Sequence, residues 1–369
     1  MNLSPPSMLE KEIPKISSIP LKIVDKLLRS EIPEISIRAR TPNNITKNQI
    51  TQVWNLGNIT SVKSAKNVPG SISLIRYVEL ANLLSKLKKD GKTVTLREVY
   101  YLSENFKIGK FNTQPESDRV IEELEVYLNK IREEFRVRAQ PRGNIAGPLI
   151  IRQKLRVTAG QPVKYRLIDC QKDVGRLGYS LPSMIEDFEI VSCDAKFVLA
   201  IETAGMYSRL LEDNFDKKYG AILVSLRGQP SRMCKLVINQ LAKKFKLRVA
   251  VFTDGDPWSM RILAAIKYGS IKTSHLSERL VTPEVSYIGV LPTDITQYNL
   301  RGEPLKKSDK MALSEILKDK RFDNNFWRSQ IQHMLTIGLK SEQQALLKYG
   351  FKYVSDTYLP KKLKEFGII

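Results

Sequence analysis

Three carboxylates in this chain sit where an oxygen-loving cation could use them. Glu202 closes the apolar run KFVLAIE, and Asp254 and Asp256 close KLRVAVFTDGD. Both runs have strand length. In an open parallel sheet, functional groups collect beyond the carboxyl ends of the strands, so two neighbouring strand ends would bring the three acids together. Residues two apart in extended chain point the same way, and the glycine of DGD lets the backbone turn tightly enough for both aspartates to face one ion. Hard oxygen ligands so arranged suit Mg²⁺, which keeps several waters and bridges to phosphate oxygens. Taken singly, a Glu after a strand is ordinarily a cap or surface residue, and DGD is ordinarily a solvated turn. Only their joint placement points to metal.

A second constellation lies upstream in TLREVYY, where Tyr100 and Tyr101 occupy consecutive positions. Tyrosine pairs ordinarily pack, and adjacent helix positions are about 100° apart, so only one can aim into a groove. Arg97 precedes Tyr101 by one helical turn and shares its face, where a guanidinium could hold a phosphate and steady a developing phenolate. A phenol with its ordinary pKa near 10 is a poor nucleophile at neutral pH and needs such an environment. His275, in TSHLSERL, could accept a proton but equally satisfies a local hydrogen bond. Trp258, directly after DGDP, reads as packing rather than base stacking.

The elements that carry these residues fall into three regions. Residues 1–70 read as an arm: Pro5, Pro6, Pro14 and Pro20 keep its start extended, PLKIVDKLLRSEI gives one short amphipathic helix, and two short pieces follow that could be strands. So thin a segment is expected to pack on another domain or another subunit, as part of a partner contact. Residues 71–150 read as a winged-helix-like DNA-binding module. Its first helix ends at Gly91, its second is capped by Thr95 with Glu98 completing a capping box, its third is capped by Ser117 or Asp118, and FRVRAQPRGNIAGPLI closes it as a hairpin. From 151 to 369 strand-length apolar runs alternate with helical segments, the signature of a parallel sheet covered by helices, and the last third is mostly helical.

The chain of 369 residues has room for two or three such domains. Its 60 Lys and Arg against 39 Asp and Glu leave a formal +21, which favours a polyanionic partner, nucleic acid before a neutral metabolite. Cys170, Cys193 and Cys234 lack CxxC spacing, and only two histidines are present, so neither structural zinc nor a disulfide scaffold is expected. No run approaches the roughly 18 apolar residues a membrane span needs. The opening MNLSPPSMLEKEIPKI does not read as a signal peptide, so a cytoplasmic, chromosome-associated protein is expected. No GxxxxGK[ST] loop or dinucleotide fingerprint occurs, and an ATP site on this chain is not expected.

TLREVYY, AIETAGMYSRL, LRGQP, FTDGDPW and YGSIKTSHLSERLVTPEVSYIGVLPTDI stand in one order. On them the chain resembles the A subunits of archaeal type IIB DNA topoisomerases, from about residue 35 to YLPKKLKEF, with a core shared by the meiotic double-strand-break protein. The resemblance implies a multidomain α/β and α+β protein: a winged-helix domain carrying a nucleophilic tyrosine, then an α/β Toprim domain with an acidic metal site and a helical C-terminal extension. It implies Tyr101 as the nucleophile, Arg97 as its companion, and Glu202, Asp254 and Asp256 as the ligands of Mg²⁺. It further implies a homodimer in which each tyrosine works with the other protomer's metal site. Two such centres cut double-stranded DNA, leaving 5′ phosphotyrosyl ends, and strand passage is driven by an ATPase B subunit in an A2B2 assembly. The chain departs from many relatives at Thr203, where lysine is common, at LRGQP, where a glycine pair is common, and at PWSM after the DxD. Three rivals would differ in outcome: a break-making enzyme that does not reseal, a metal-dependent nuclease or primase that needs no tyrosine, and a DNA-binding protein without chemistry.

Overall fold

A computed structural model describes residues 16–139, 141–156 and 161–369. Two compact units emerge, one from the chain up to Thr46 with Leu56–Gln140, the other from Lys47–Asn55 with Pro141–Ile369.

The first unit is built on the helix Val68–Lys89. Asn67 caps it by accepting from the Gly70 N–H, and it stops at Asp90, followed by Gly91 in a left-handed conformation. Its inward stripe of Leu74, Tyr77, Leu80, Ala81 and Leu84 packs with Val99, Ile121 and Leu124 from the two helices that follow, Leu96–Leu102 and Gln114–Leu128. The last of these starts earlier than its sequence suggests. Pro115 sits in its first turn, where a missing N–H costs nothing, and Ser117 is buried inside the helix with its hydroxyl on the Gln114 carbonyl. Neither Ser117 nor Asp118 is the cap.

The segment read as a thin arm contributes to this core. Ile19, from helix Ser18–Leu28, and Ile35 and Ile37, from strand Glu34–Arg38, are fully or almost fully buried in it. The strand pairs antiparallel with Thr60–Ser64. Two alternating isoleucines suffice to bury one face of a two-stranded ribbon, although the segment is poor in apolar residues overall. Pro5, Pro6 and Pro14 lie outside the described residues.

The expected closing hairpin does not form. Val137–Arg138 pairs in parallel with Val94–Thr95 instead, and the chain beyond PRG belongs to the second unit. The bends do need their glycines. Gly143 and Gly147 both have positive φ, and a Cβ would meet the Cys234 Sγ at 2.3 Å in the first case and the Ala221 carbonyl at 2.4 Å in the second.

In the second unit a six-stranded sheet runs in the order Tyr179–Ser180, Asn144–Ala146, Ala221–Ser225, Phe197–Ile201, Arg248–Phe252, Ser286–Gly289. The last four are parallel to one another, and the first two join antiparallel. Strands 197–201 and 221–225 are buried at every position, as continuous apolar runs demand when helices cover both faces. A separate antiparallel sheet, Phe188–Cys193, Leu149–Lys154, Tyr165–Asp169, was not anticipated from sequence. Helices Lys307–Lys318, Asn325–Ile337 and Leu359–Glu365 make the C-terminal third mostly helical, as expected. The last is fixed by Lys362, whose ammonium lies 2.7 Å from the fully buried Asp294 carboxylate, with the Tyr358 hydroxyl donating to the same group. Trp54 joins this unit: its carbonyl accepts from the Ser277 hydroxyl, and its N–H donates to the Tyr268 carbonyl.

Candidate active site

The acid-bearing strands are immediate neighbours. Ile201 stands opposite Phe252 in parallel register, and the Glu202 N–H donates to the Phe252 carbonyl at 3.0 Å. Glu202 and the DGD turn therefore leave the sheet side by side. The Glu202 Oε2 accepts from the Asp254 N–H at 3.0 Å and from the Ser259 hydroxyl at 2.7 Å. Asp254 Oδ1 accepts from the Gln343 N–H at 2.8 Å. Asp256 caps the helix Pro257–Lys267, its Oδ1 accepting from the Ser259 N–H at 2.7 Å. Ser259 thus ties Glu202 to Asp256, a link that Asp256 before a first-turn proline could have suggested.

Electrostatics set this loop apart. Burial, aided by the neighbouring Glu202 and Asp256 carboxylates, pushes the Asp254 carboxyl up to about 7. Burial also raises Glu202, against the lowering effect of its two donors. Among the described residues none of the three carboxylates takes part in an ion pair. Asp254 and Asp256 open onto a cavity of ≈ 540 Å³ that is also lined by Arg301, Glu303, Lys340 and Glu342. Among the described residues no group of three or more His, Cys, Asp or Glu side chains is gathered closely enough to hold a metal ion by itself. What the geometry offers is an open, half-buried, mutually repelling set of hard oxygen donors, which fits a hydrated divalent ion that keeps some of its waters.

A second chain segment braces the loop. Gly255 and Ser341 exchange backbone hydrogen bonds at 2.8 and 3.1 Å, and the Ser341 hydroxyl reaches the Arg301 carbonyl. Thr203 caps the helix Ala204–Glu212 and donates its hydroxyl to Gln343 Oε1 at 2.9 Å. Trp258 donates its indole N–H to Asp309, which also holds Lys340, and Arg261 lies 4.8 Å from the indole ring centre. His275 is half-buried in the turn Ile271–Leu276, between the buried Ser274 and Leu276.

In the first unit, helix Leu96–Leu102 opens with the expected capping box, Thr95 Oγ1 accepting from the Glu98 N–H and Glu98 Oε2 accepting from the Thr95 N–H. The two tyrosines separate cleanly. Tyr100 packs on the core with its hydroxyl toward the Asn112 carbonyl, while Tyr101 is 56% exposed. The Arg97 guanidinium lies over the Tyr101 ring, 5.8 Å from its centre, and the Tyr101 hydroxyl raises the affinity of Arg97 for its proton.

Comparison with known proteins covers most of the chain. Residues 197–363 match the Toprim-domain family of topoisomerase 6 A subunits and Spo11, residues 73–137 the family described as "Type IIB DNA topoisomerase", and residues 142–194 the all-beta domain of the DNA topoisomerase VI alpha subunit. The A subunit of type 2 DNA topoisomerase 6 from Archaeoglobus fulgidus is 45% identical over 348 residues, covering 94% of this chain and 95% of that one. Its namesake from Haloarcula marismortui is 43% identical over 94% and 93%, and that from Methanosarcina barkeri 41% over 96% and 95%. The chain belongs to the topoisomerase VI A-subunit family. Its fold is that family's order of parts, a winged-helix-like domain, then a Toprim α/β core with a helical C-terminal extension. The small antiparallel sheet lies within the stretch that matches the topoisomerase VI all-beta domain.

Proposed function

We propose that Tyr101 is the DNA-breaking nucleophile of this topoisomerase VI A subunit, that Arg97 steadies its phenolate, and that Glu202, Asp254 and Asp256 hold Mg²⁺. Membership of the family makes the chain the DNA cleavage and rejoining subunit of a type IIB topoisomerase, an enzyme. The observation that carries the residue assignment is the pairing of strands 197–201 and 248–252, which sets Glu202 beside the DGD turn with its charge uncompensated. The exposure of Tyr101 beneath Arg97 supports the nucleophile.

Double-stranded DNA binds through phosphates neutralised by the excess of basic residues. The Tyr101 oxygen attacks phosphorus, the bond to the 3′-oxygen breaks, and a 5′ phosphotyrosyl link forms. The phenol proton passes to solvent while the 3′-oxygen gains one. Arg97, placed over the ring, offsets the negative charge that builds on the phenolate and phosphate. When bound, Mg²⁺ supplies positive charge to the phosphate oxygens. One phosphodiester replaces another of similar energy, so rejoining needs no nucleotide at this step. In the homodimer each tyrosine serves the partner protomer's acids, and ATP-driven strand passage comes from a B subunit in an A2B2 assembly. Residues 1–70 are the proposed contact for that partner, residues 71–140 the tyrosine module, and the chain from Pro141 onward the metal-binding part. The complex works on the chromosome in the cytoplasm.

The decisive experiment incubates labelled duplex with the A and B subunits, Mg²⁺ and ATP, traps cleavage with denaturant, and compares Tyr101→Phe. Protein bound to 5′ ends and lost in the variant is the expected result. Protein-free ends in both samples would replace tyrosyl transfer with metal-dependent hydrolysis.

A further inference from the structure

Gln343 belongs to none of the motifs by which the chain resembles its family, yet it touches both strand ends of the acid site. Its backbone N–H donates to Asp254 Oδ1 at 2.8 Å. Its side-chain oxygen accepts from the Thr203 hydroxyl at 2.9 Å and from the Thr203 N–H at 3.3 Å. Thr203 directly follows Glu202, so one residue spans the end of strand 197–201 and the turn after strand 248–252. The preceding residues anchor it: Ser341 exchanges hydrogen bonds with Gly255, between the two aspartates.

The cost of this arrangement is visible. Gln343 is completely buried, and its amide nitrogen has no hydrogen-bond partner among the described residues. An unsatisfied buried donor is destabilising, and an apolar side chain of similar volume would avoid the loss. The amide is retained at a position where its oxygen does something an apolar side chain cannot, which is to hold Thr203 against Asp254.

We propose that Gln343 is a positioning residue of the cation site, clamping the Glu202 and Asp254 strand ends at a fixed separation through Thr203 and its own backbone N–H. The clamp rests on the reading of Glu202, Asp254 and Asp256 as cation ligands. It acts by preorganisation. Without it the acids remain, but their mutual repulsion is free to spread them, so the ion must close the gap at the expense of its own binding energy. Outer residues that orient metal ligands are typically worth 10–100-fold in affinity or activity.

The test uses the full chain with its B subunit for activity, and the isolated full chain for direct binding of Mn²⁺ followed by electron paramagnetic resonance. Gln343→Met keeps the volume and the backbone N–H but removes the acceptor. It is expected to weaken Mn²⁺ binding and raise the half-saturating Mg²⁺ for cleavage by about tenfold, with cleavage at saturating Mg²⁺ within about twofold of the parent. Gln343→Glu keeps an acceptor oxygen for Thr203 and should restore much of the affinity. Thr203→Ala cuts the same link from the other side, giving a similar shift that is not additive with Gln343→Met, and it serves if Gln343→Met does not fold. Unchanged Mn²⁺ affinity in both variants, where Asp256→Ala abolishes binding, would overturn the clamp. If Asp254→Asn and Asp256→Ala also leave Mn²⁺ binding intact, the assignment of the acids fails instead, and the clamp with it.

Discussion

The N–H of Asp254 donates to the carboxylate of Glu202 at 3.0 Å, so the backbone of one acid holds the side chain of the other. That contact uses only the main chain of Asp254, so a conservative change of the Glu202 side chain leaves it in place. Glu202→Gln keeps an acceptor for that N–H and for Ser259 while removing one charge. The expected outcome is a folded protein with a melting temperature no lower than the parent's and cleavage reduced by at least about 100-fold, read by trapped 5′ adducts and thermal unfolding of the same preparation.

The shift of Asp254 to about 7 makes cation-free stability depend on pH. Its folded pKa lies above the ordinary carboxylate value, so its contribution is fully present below about 4 and is lost as pH rises through 7. Without divalent ions the parent should therefore melt lower at pH 8 than at pH 5.5 by more than Asp254→Asn does. Mg²⁺ should raise the melting temperature more at pH 8 than at pH 5.5, because the proposed ligand is the ionised form. Equal pH dependence in parent and Asp254→Asn would contradict the shift.

The contrast between the two tyrosines gives a sharp comparison. Tyr100→Phe gives up one long hydrogen bond to the Asn112 carbonyl, and Tyr101→Phe alters an exposed side chain. Both variants should unfold within about 0.5 kcal/mol of the parent. Only Tyr101→Phe should fail to form covalent adducts.

Helix Leu96–Leu102 is seven residues long and relies on its capping box. Thr95→Ala should destabilise the protein by about 1 kcal/mol in urea unfolding, and Thr95→Ser should recover most of that. Because Arg97 and Tyr101 ride on this helix, the alanine variant should also lose cleavage rate in proportion greater than its loss of folded protein.

The pair Lys362 and Asp294 holds the terminal helix through a fully buried contact. Lys362→Met strands the carboxylate and should cost about 3–5 kcal/mol. Lys362→Met with Asp294→Asn should recover part of this, as measured by denaturant midpoint.

What the sequence made legible were features whose cause is local or periodic. Continuous apolar runs located strands 197–201 and 248–252, and a Thr with a Glu three residues later located the start of the tyrosine helix. The small antiparallel sheet escaped because its strands, such as KYRLID and FEIVSC, carry their inward residues among charged ones and sit between irregular segments. The supposed hairpin failed because Val137 finds its partner in Val94, forty-odd positions back, a choice that no short-range pattern encodes. The role of Gln343 was hidden for the same reason: it lies 89 residues from Asp254 and 140 from Thr203. Around the DGD turn, pattern could name the acids but not the polar groups that brace them.

The exchange of hydrogen bonds between Gly255 and Ser341 has a consequence for the order in which the protein is made. The ribosome delivers Glu202 and the DGD turn well before the segment that braces them, and the helix that ends the chain comes later still. A nascent or prematurely terminated chain ending before Ser341 carries the tyrosine and all three acids but lacks the brace that arranges those acids.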